Sequence, residues 1–324
     1  MGTKQFAVDR QFDVIKKLIE QRDKNQLISI MIANLQRWME ETPNEIVLQN
    51  ISFYNTLQFW GMLELKSNNI SLIKQRATVL KEEWRSIENL YYRLMDYRSK
   101  YVLVTILNNW LSFSYKEIGK IKENCFTSYF DMDLIMCDEN EVFVDLGAWW
   151  GDTIDDYFYT YGESCYKRIY CYEIVEKNVK KLHERFDSIP NIIIRPVGAS
   201  KENGEMYLSD NGFSDAQSLV NFGNKPVKTV ALDQDITEKI TFLKADIEGA
   251  EYNAILGAKE HIRKDRPKLA ISIYHSNKDL FSIFELIERI QPGYRFYLRY
   301  NGKLEMPTDY ILIGLPPEDN NKKV

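Results

Sequence analysis

Three short strings of this sequence carry residue types that could do chemistry. In VDLGAWWGDT two glycines follow a β-branched run, as where a strand turns sharply into a helix. Gly147 would let the chain leave the strand, and Gly151 would let the following helix approach closely. The N–H groups between them, with Ala148 in the turn and Asp152 and Thr153 opening the helix, would seat an anionic group. A dinucleotide fold places a middle glycine against the pyrophosphate, where this chain has Trp149. The turn therefore suits a cofactor presenting a single carboxylate. The next run, RIYCYEI, ends on Glu173, where a carboxylate can accept two hydrogen bonds from a ribose diol. Glu173 also fits the start of the helix VEKNVKKL, where an acid meets the helix dipole.

The string FLKADIEGAE crowds Asp246, Glu248 and Glu251 at a strand end, where open α/β sheets bind their ligands. Acids so close need solvent, hydrogen bonds or a cation. Asp246 and Glu248 are read as site residues, against a second reading in which they cap the helix starting near Gly249. Glu251 would sit a turn into that helix. Three histidines are present. His183, in a charged helix, and His261, near a helix end, are expected to face solvent. His275 closes the run KLAISIYH at the presumed active face, where an imidazole can take a hydroxyl proton near neutral pH. A capping or core histidine is the alternative.

The elements that must hold these residues change character along the chain. Up to about residue 125 the period is helical: Phe12, Ile15, Leu18 and Ile19 share a face, as do Ile28, Met31, Leu35 and Met39. Ser71 is expected to cap one long helix through ISLIKQRATVLKEEWRSIENLYYRLMDYRSK. From residue 141, β-branched runs alternate with amphipathic helical stretches, which argues a parallel sheet covered on both faces. Only NGKLEMPT separates the last two strands, so they are expected to pair antiparallel. This divides the chain into a helical domain over 1–125, lead-in included, and an α/β domain over 126–324.

The bulk composition restricts the function. With 324 residues, 44% hydrophobic and 27% charged, two globular domains are expected. A net charge of −5 lacks the basic footprint of a nucleic-acid-binding domain. No stretch has the roughly 18 uninterrupted apolar residues of a spanning helix, and the opening residues do not read as a secretory signal. Cys125, Cys137, Cys165 and Cys171 form no C-x-x-C pair and read as reduced thiols of a cytoplasmic protein. The polar end from Glu318 to Val324 is expected to be disordered.

Taken together, VFVDLGAWWGDT, YCYEI, VALD, FLKADIEGAEYNAILGA, RPKLAISIYH and YRFYLRYN resemble the FkbM-family methyltransferases. With the upstream DYRSK and SYF segments the resemblance starts near Asp96 and leaves residues 1–95 unmatched. It implies a class I, Rossmann-like methyltransferase fold, a doubly wound sheet with an antiparallel last strand, here preceded by helices. It also implies S-adenosylmethionine as donor and methyl transfer to a hydroxyl of a sugar, glycan precursor or natural product. Carried over by position, Asp145, Gly147 and Gly151 form the methionine-side loop and Glu173 binds the ribose; Ala148, Asp152, Thr153 and Asp246 are counted with them. Many members have Asn where Trp149 stands.

Transfer to an alkyl hydroxyl needs alignment and a base. The expected base is His275, with Asp246 or Glu248 orienting it or the acceptor. A second arrangement has Asp246, Glu248 and His275 holding a divalent cation that binds a diol. Two other function classes stand beside sugar O-methylation: methylation of a non-sugar small molecule, and an inactive binding or scaffold module. The helical half is expected to form a homo-oligomer or to cover the active site.

Overall fold

The computed structural model describes residues 6–64, 67, 69–209, 218–303 and 307–317. The end from Glu318 to Val324, expected to be disordered, lies outside the described residues. Seven helices come first: α1 (Ala7–Gln21), α2 (Lys24–Glu41), α3 (Asn44–Leu57), α4 (Ser71–Glu82), α5 (Trp84–Arg93), α6 (Tyr97–Ser112) and α7 (Ile118–Ile121). Strands and helices then alternate: β1 (Val142–Leu146), α8 (Asp152–Tyr161), β2 (Arg168–Tyr172), α9 (Glu176–Phe186), β3 (Ile192–Arg195) and β4 (Gly198–Ala199). Next come β5 (Gly204–Leu208), β6 (Leu219–Val220), β7 (Pro226–Val230), α10 (Leu232–Asp235), β8 (Phe242–Ala245), α11 (Glu251–Gly257) and α12 (Lys259–Lys264). The last are β9 (Lys268–Ser272), α13 (Asp279–Ile290), β10 (Arg295–Tyr300) and β11 (Tyr310–Leu315). No described helix is long and apolar enough to cross a membrane.

These elements form two compact units. The first is Met1–Glu123 with Tyr274–Phe281 and Tyr297–Tyr310; the second is Asn124–Ile273 with Ser282–Phe296 and Ile311–Val324. In the first unit α2 packs on α4 and α6, and α1 on α6. Phe12 stacks on Tyr91 with ring centroids 3.8 Å apart, and of the expected apolar face Phe12, Ile15 and Ile19 are buried while Leu18 is half-buried. The long helix expected from Ser71 is instead three helices. Ser71 does not cap α4; its Oγ accepts the Met62 N–H at 2.8 Å. The break before α6 comes from Asp96, an extended residue whose Oδ1 accepts the Ser99 N–H at 2.7 Å and so caps that helix.

The second unit is the expected open sheet. Within it the strands run in the order β11-β9-β8-β1-β2-β3. The neighbours from β3 to β9 run parallel, and β11 enters antiparallel to β9. Strands β1, β8 and β9 are buried almost throughout, as a sheet covered on both faces requires. A second, four-stranded sheet in the order β4-β7-β5-β6 was not foreseen. Pro196, which lacks an N–H, interrupts the run NIIIRPVGA, and the chain passes from β3 into β4 of this second sheet.

Candidate active-site cleft

A cleft of about 290 Å³ opens in the second unit beside the C-terminal ends of β1, β2 and β8. Gly147, Asp152, Thr153, Glu173, Asp246 and Glu248 all line it. Residues far apart in sequence therefore meet where an open α/β sheet takes its ligand.

The register of the sheet sets the floor. Asp145 of β1 and Lys244 of β8 are direct partners across adjacent strands. Their side chains are buried, with Nζ 2.8 Å from Oδ1. Lys244 also donates to the Gly147 carbonyl at 2.9 Å and lies 5.0 Å from the Tyr129 ring centroid. Burial pushes the Asp145 carboxyl up to about 6, with the Lys244 ammonium opposing the shift. Burial pulls Lys244 down, but the Asp145 and Asp246 charges prevail and hold it above its usual value. Asp145 thus anchors the floor beneath the cleft.

Gly147 turns the chain off β1 as expected, whereas the helix that crowds Gly151 is α9 and not the following α8. Gly147 has φ +77°, and a Cβ there would stand 1.9 Å from the Asp246 carbonyl oxygen. Gly151 has φ +97°, and a Cβ would stand 2.2 Å from the Phe186 ring of α9. The expected anion seat differs. Gly147 and Ala148 both donate to the Tyr172 carbonyl at 3.0 Å, and Gly151 donates to Ala148 at 2.8 Å. The Trp149 N–H reaches Glu173, and the Asp152 carboxyl takes backbone N–H groups at the start of α8. The Gly147, Ala148, Trp149 and Gly151 donors are thus taken by the strand end, by Glu173 and within the turn itself, and the turn contributes close packing. Trp149 has φ +46°, a left-handed conformation that Asn tolerates better than a bulky side chain. It is 40% exposed and forms part of the cleft wall.

Glu173 stands just ahead of α9 and faces the cleft. Its Oε1 accepts the Ile174 and Val175 N–H groups at 2.8 and 2.7 Å. Burial raises its pKa, and those backbone bonds oppose the rise.

At the end of β8, Asp246 Oδ2 accepts the Tyr129 hydroxyl at 2.6 Å. Neither Asp246 nor Glu248 caps the next helix, whose N-cap is Ala250 without a side-chain bond. Glu248 has φ +55°. Glu251 is the first residue of α11, fully buried, and its Oε1 accepts the Ile247 N–H at 2.8 Å, which makes it a brace for the acidic turn. Tyr129 and Lys244 were missed as site residues. Lys244 was legible in principle, two positions before Asp246 on one strand face. Tyr129 had no local signal.

His275 lies three residues beyond β9, in the first unit. It is 3% exposed, and its ring meets that of Phe59 edge-on at 5.0 Å. His183 is exposed and bonds Asp187 at 2.8 Å. His261, expected to face solvent, is instead 10% exposed and held between Asp265 and the Ile236 carbonyl.

Comparison with known proteins agrees with this fold. Residues 188–296 match the methyltransferase FkbM domain, where the sequence resemblance placed part of it. The crystal structure of methyltransferase FkbM from Methylobacillus flagellatus KT is 24% identical, with a TM-score of 0.63. The match covers 74% of this chain and 61% of that one, so this chain spans less than two thirds of its length. An rRNA methylase from Streptococcus thermophilus is 16% identical over 64% of this chain and 96% of its own, at a TM-score of 0.37. The Methanococcus jannaschii fibrillarin pre-rRNA processing protein is 15% identical over 57% and 70%, at 0.36. No curated sequence gives a significant match. The second unit has the class I methyltransferase fold.

Proposed function

We propose that this protein is an S-adenosylmethionine-dependent O-methyltransferase acting on a hydroxyl of a sugar or glycan precursor. One observation carries the reading: the glycine turn after β1, Glu173 after β2 and Asp246 after β8 converge on one cleft. The FkbM match over residues 188–296 supports the same activity. Placement in the cytoplasm belongs to this reading and rests on four free cysteines.

The cleft suits the donor chemically. Its turn approaches so closely that a methyl group at Gly147 would strike the chain, and its far wall offers a carboxylate to a ribose diol. In this proposal the methionyl portion lies along Gly147, Asp152 and Thr153, with Ala148 and Gly151 shaping the turn behind them. Glu173 takes the ribose hydroxyls. The Asp145–Lys244 pair keeps the floor rigid. When bound, S-adenosylmethionine supplies a methyl group already activated on a sulfonium. The chain then has to hold the acceptor in line and remove its proton. Asp246, held by Tyr129, orients the acceptor with Glu248.

The test is thermal unfolding of the whole chain with S-adenosylmethionine, followed by labelled-methyl transfer to nucleotide sugars, oligosaccharides and hydroxylated non-sugars. A ligand that binds only the native state must raise Tm. No shift would sink the cofactor assignment. Transfer confined to non-sugars would replace the acceptor class.

A further inference from the structure

The helical unit contains a cavity of its own, about 550 Å³, with no part in the reading above. Asn34, Arg37 and Trp38 of α2, Asn50 of α3, and Tyr115 and Lys116 after α6 line it. The Trp38 and Tyr115 rings lie 5.7 Å apart with planes at 50°, forming an apolar corner. Asn50 is 1% exposed; its Nδ2 donates to the Ile46 carbonyl at 2.9 Å. Its Oδ1 is buried with no hydrogen-bond partner among the described residues, a state that carries a desolvation cost.

Behind this wall sits an unusual charge. The Tyr115 hydroxyl is 2.7 Å from that of Tyr54. Over Tyr54, at 5.3 Å from its centroid, lies the guanidinium of Arg76, which is 1% exposed. Trp110 and Trp60 complete an aromatic cage at 5.4 and 5.9 Å. Among the described residues Arg76 Nε and Nη1 have no hydrogen-bond partner. Cation–π contacts offset part of the cost of burying that charge. Burial pushes the Tyr115 phenol well above its usual value, and the Arg76 charge opposes the rise. The field of Arg76 therefore reaches the cavity wall.

We propose that this cavity binds an acidic saccharide, a sugar carrying a carboxylate or a phosphate. Flat aromatic faces accept the C–H face of a pyranose ring. The planar amides of Asn34 and Asn50 and the guanidinium of Arg37 can each engage neighbouring hydroxyls. Arg37 and Lys116 on the wall and Arg76 behind it outnumber the one acid there, Glu41, which favours an anionic group over a neutral sugar. The site stands whether or not the acceptor in the other cleft is a sugar.

The test titrates the full chain by NMR with glucuronate, galacturonate, sialic acid and glucose phosphate, beside glucose and inorganic phosphate. At least one acidic sugar should bind. Arg37→Ala, at an exposed side chain, and Trp38→Ala should each weaken it by about tenfold or more, while Asp246→Asn leaves it unchanged. The proposal is overturned if no acidic sugar binds. It also fails if glucose or phosphate alone binds as tightly, or if binding survives both α2 variants and is lost with Asp246→Asn.

Discussion

The Tyr129 hydroxyl donates to Asp246 Oδ2 at 2.6 Å, joining the segment ahead of β1 to the end of β8. Tyr129 also faces the Lys244 ammonium and lines the cleft, so it fixes the acid proposed to orient the acceptor. Tyr129→Phe should lower turnover by about tenfold, the weight of one hydrogen bond to a charged group. S-Adenosylmethionine affinity should change much less. Steady-state kinetics beside calorimetry separates the two, and equal losses in both would place Tyr129 in cofactor binding instead.

Glu173→Ala should weaken S-adenosylmethionine binding by about 1–3 kcal/mol, since the buried carboxylate proposed to take the ribose diol is lost. The substitution also removes the acceptor for the Ile174 and Val175 N–H groups. Glu173→Gln keeps an acceptor there and controls for that loss. Unchanged affinity in folded Glu173→Ala would remove the residue from the cofactor site.

Gly147→Ala should destabilise the second unit by roughly 1–3 kcal/mol or more, because it forces a Cβ onto a left-handed residue. That Cβ would stand 1.9 Å from the Asp246 carbonyl oxygen, which must move. Urea unfolding of Gly147→Ala beside Gly162→Ala is informative, since Gly162 has a similar φ of +94° but open space around it. Equal losses would mean that backbone strain alone matters and the close approach does not.

The Asp145–Lys244 pair gives a pH dependence of defined sign. Native Asp145 titrates at about 6 against an ordinary 3.8, so between those values the folded chain keeps a proton that the unfolded chain releases. That contribution to stability is complete below the window and is lost as pH rises through it. Asp145→Asn should therefore flatten the decline in stability across this range. It should also cost about 3–5 kcal/mol at neutral pH by leaving a buried ammonium unpaired. An unaltered pH slope in denaturant titrations would mean that Asp145 titrates normally.

His275→Ala should cut turnover by roughly 10²–10⁴-fold with S-adenosylmethionine affinity kept, if the imidazole takes the acceptor proton. The residue is buried against Phe59, so His275→Gln serves as a second variant that fills the space. A folded variant with near-normal turnover excludes the role.

The sequence by itself determined the sheet and the strand ends that meet at the cleft. Its β-branched runs and amphipathic helices alternate locally, and a parallel sheet must present the ends of those runs at one edge, so Gly147, Glu173 and Asp246 were legible. It also determined both glycines, because a sharp strand-to-helix turn excludes a side chain wherever it is built. Tertiary structure alone decided what each residue touches. Whether the N–H groups of the turn stay open depends on the Tyr172 carbonyl brought in by β2. That Asp145 pairs with Lys244 follows from strand register, and Tyr129 reaches Asp246 across 117 positions of sequence. The helical half showed its period but not its breaks, since Asp96 caps α6 inside an apolar pattern that continues through it. Periodicity reports the face an element buries, whereas partners and interruptions are set by contacts distant in sequence that no local window contains.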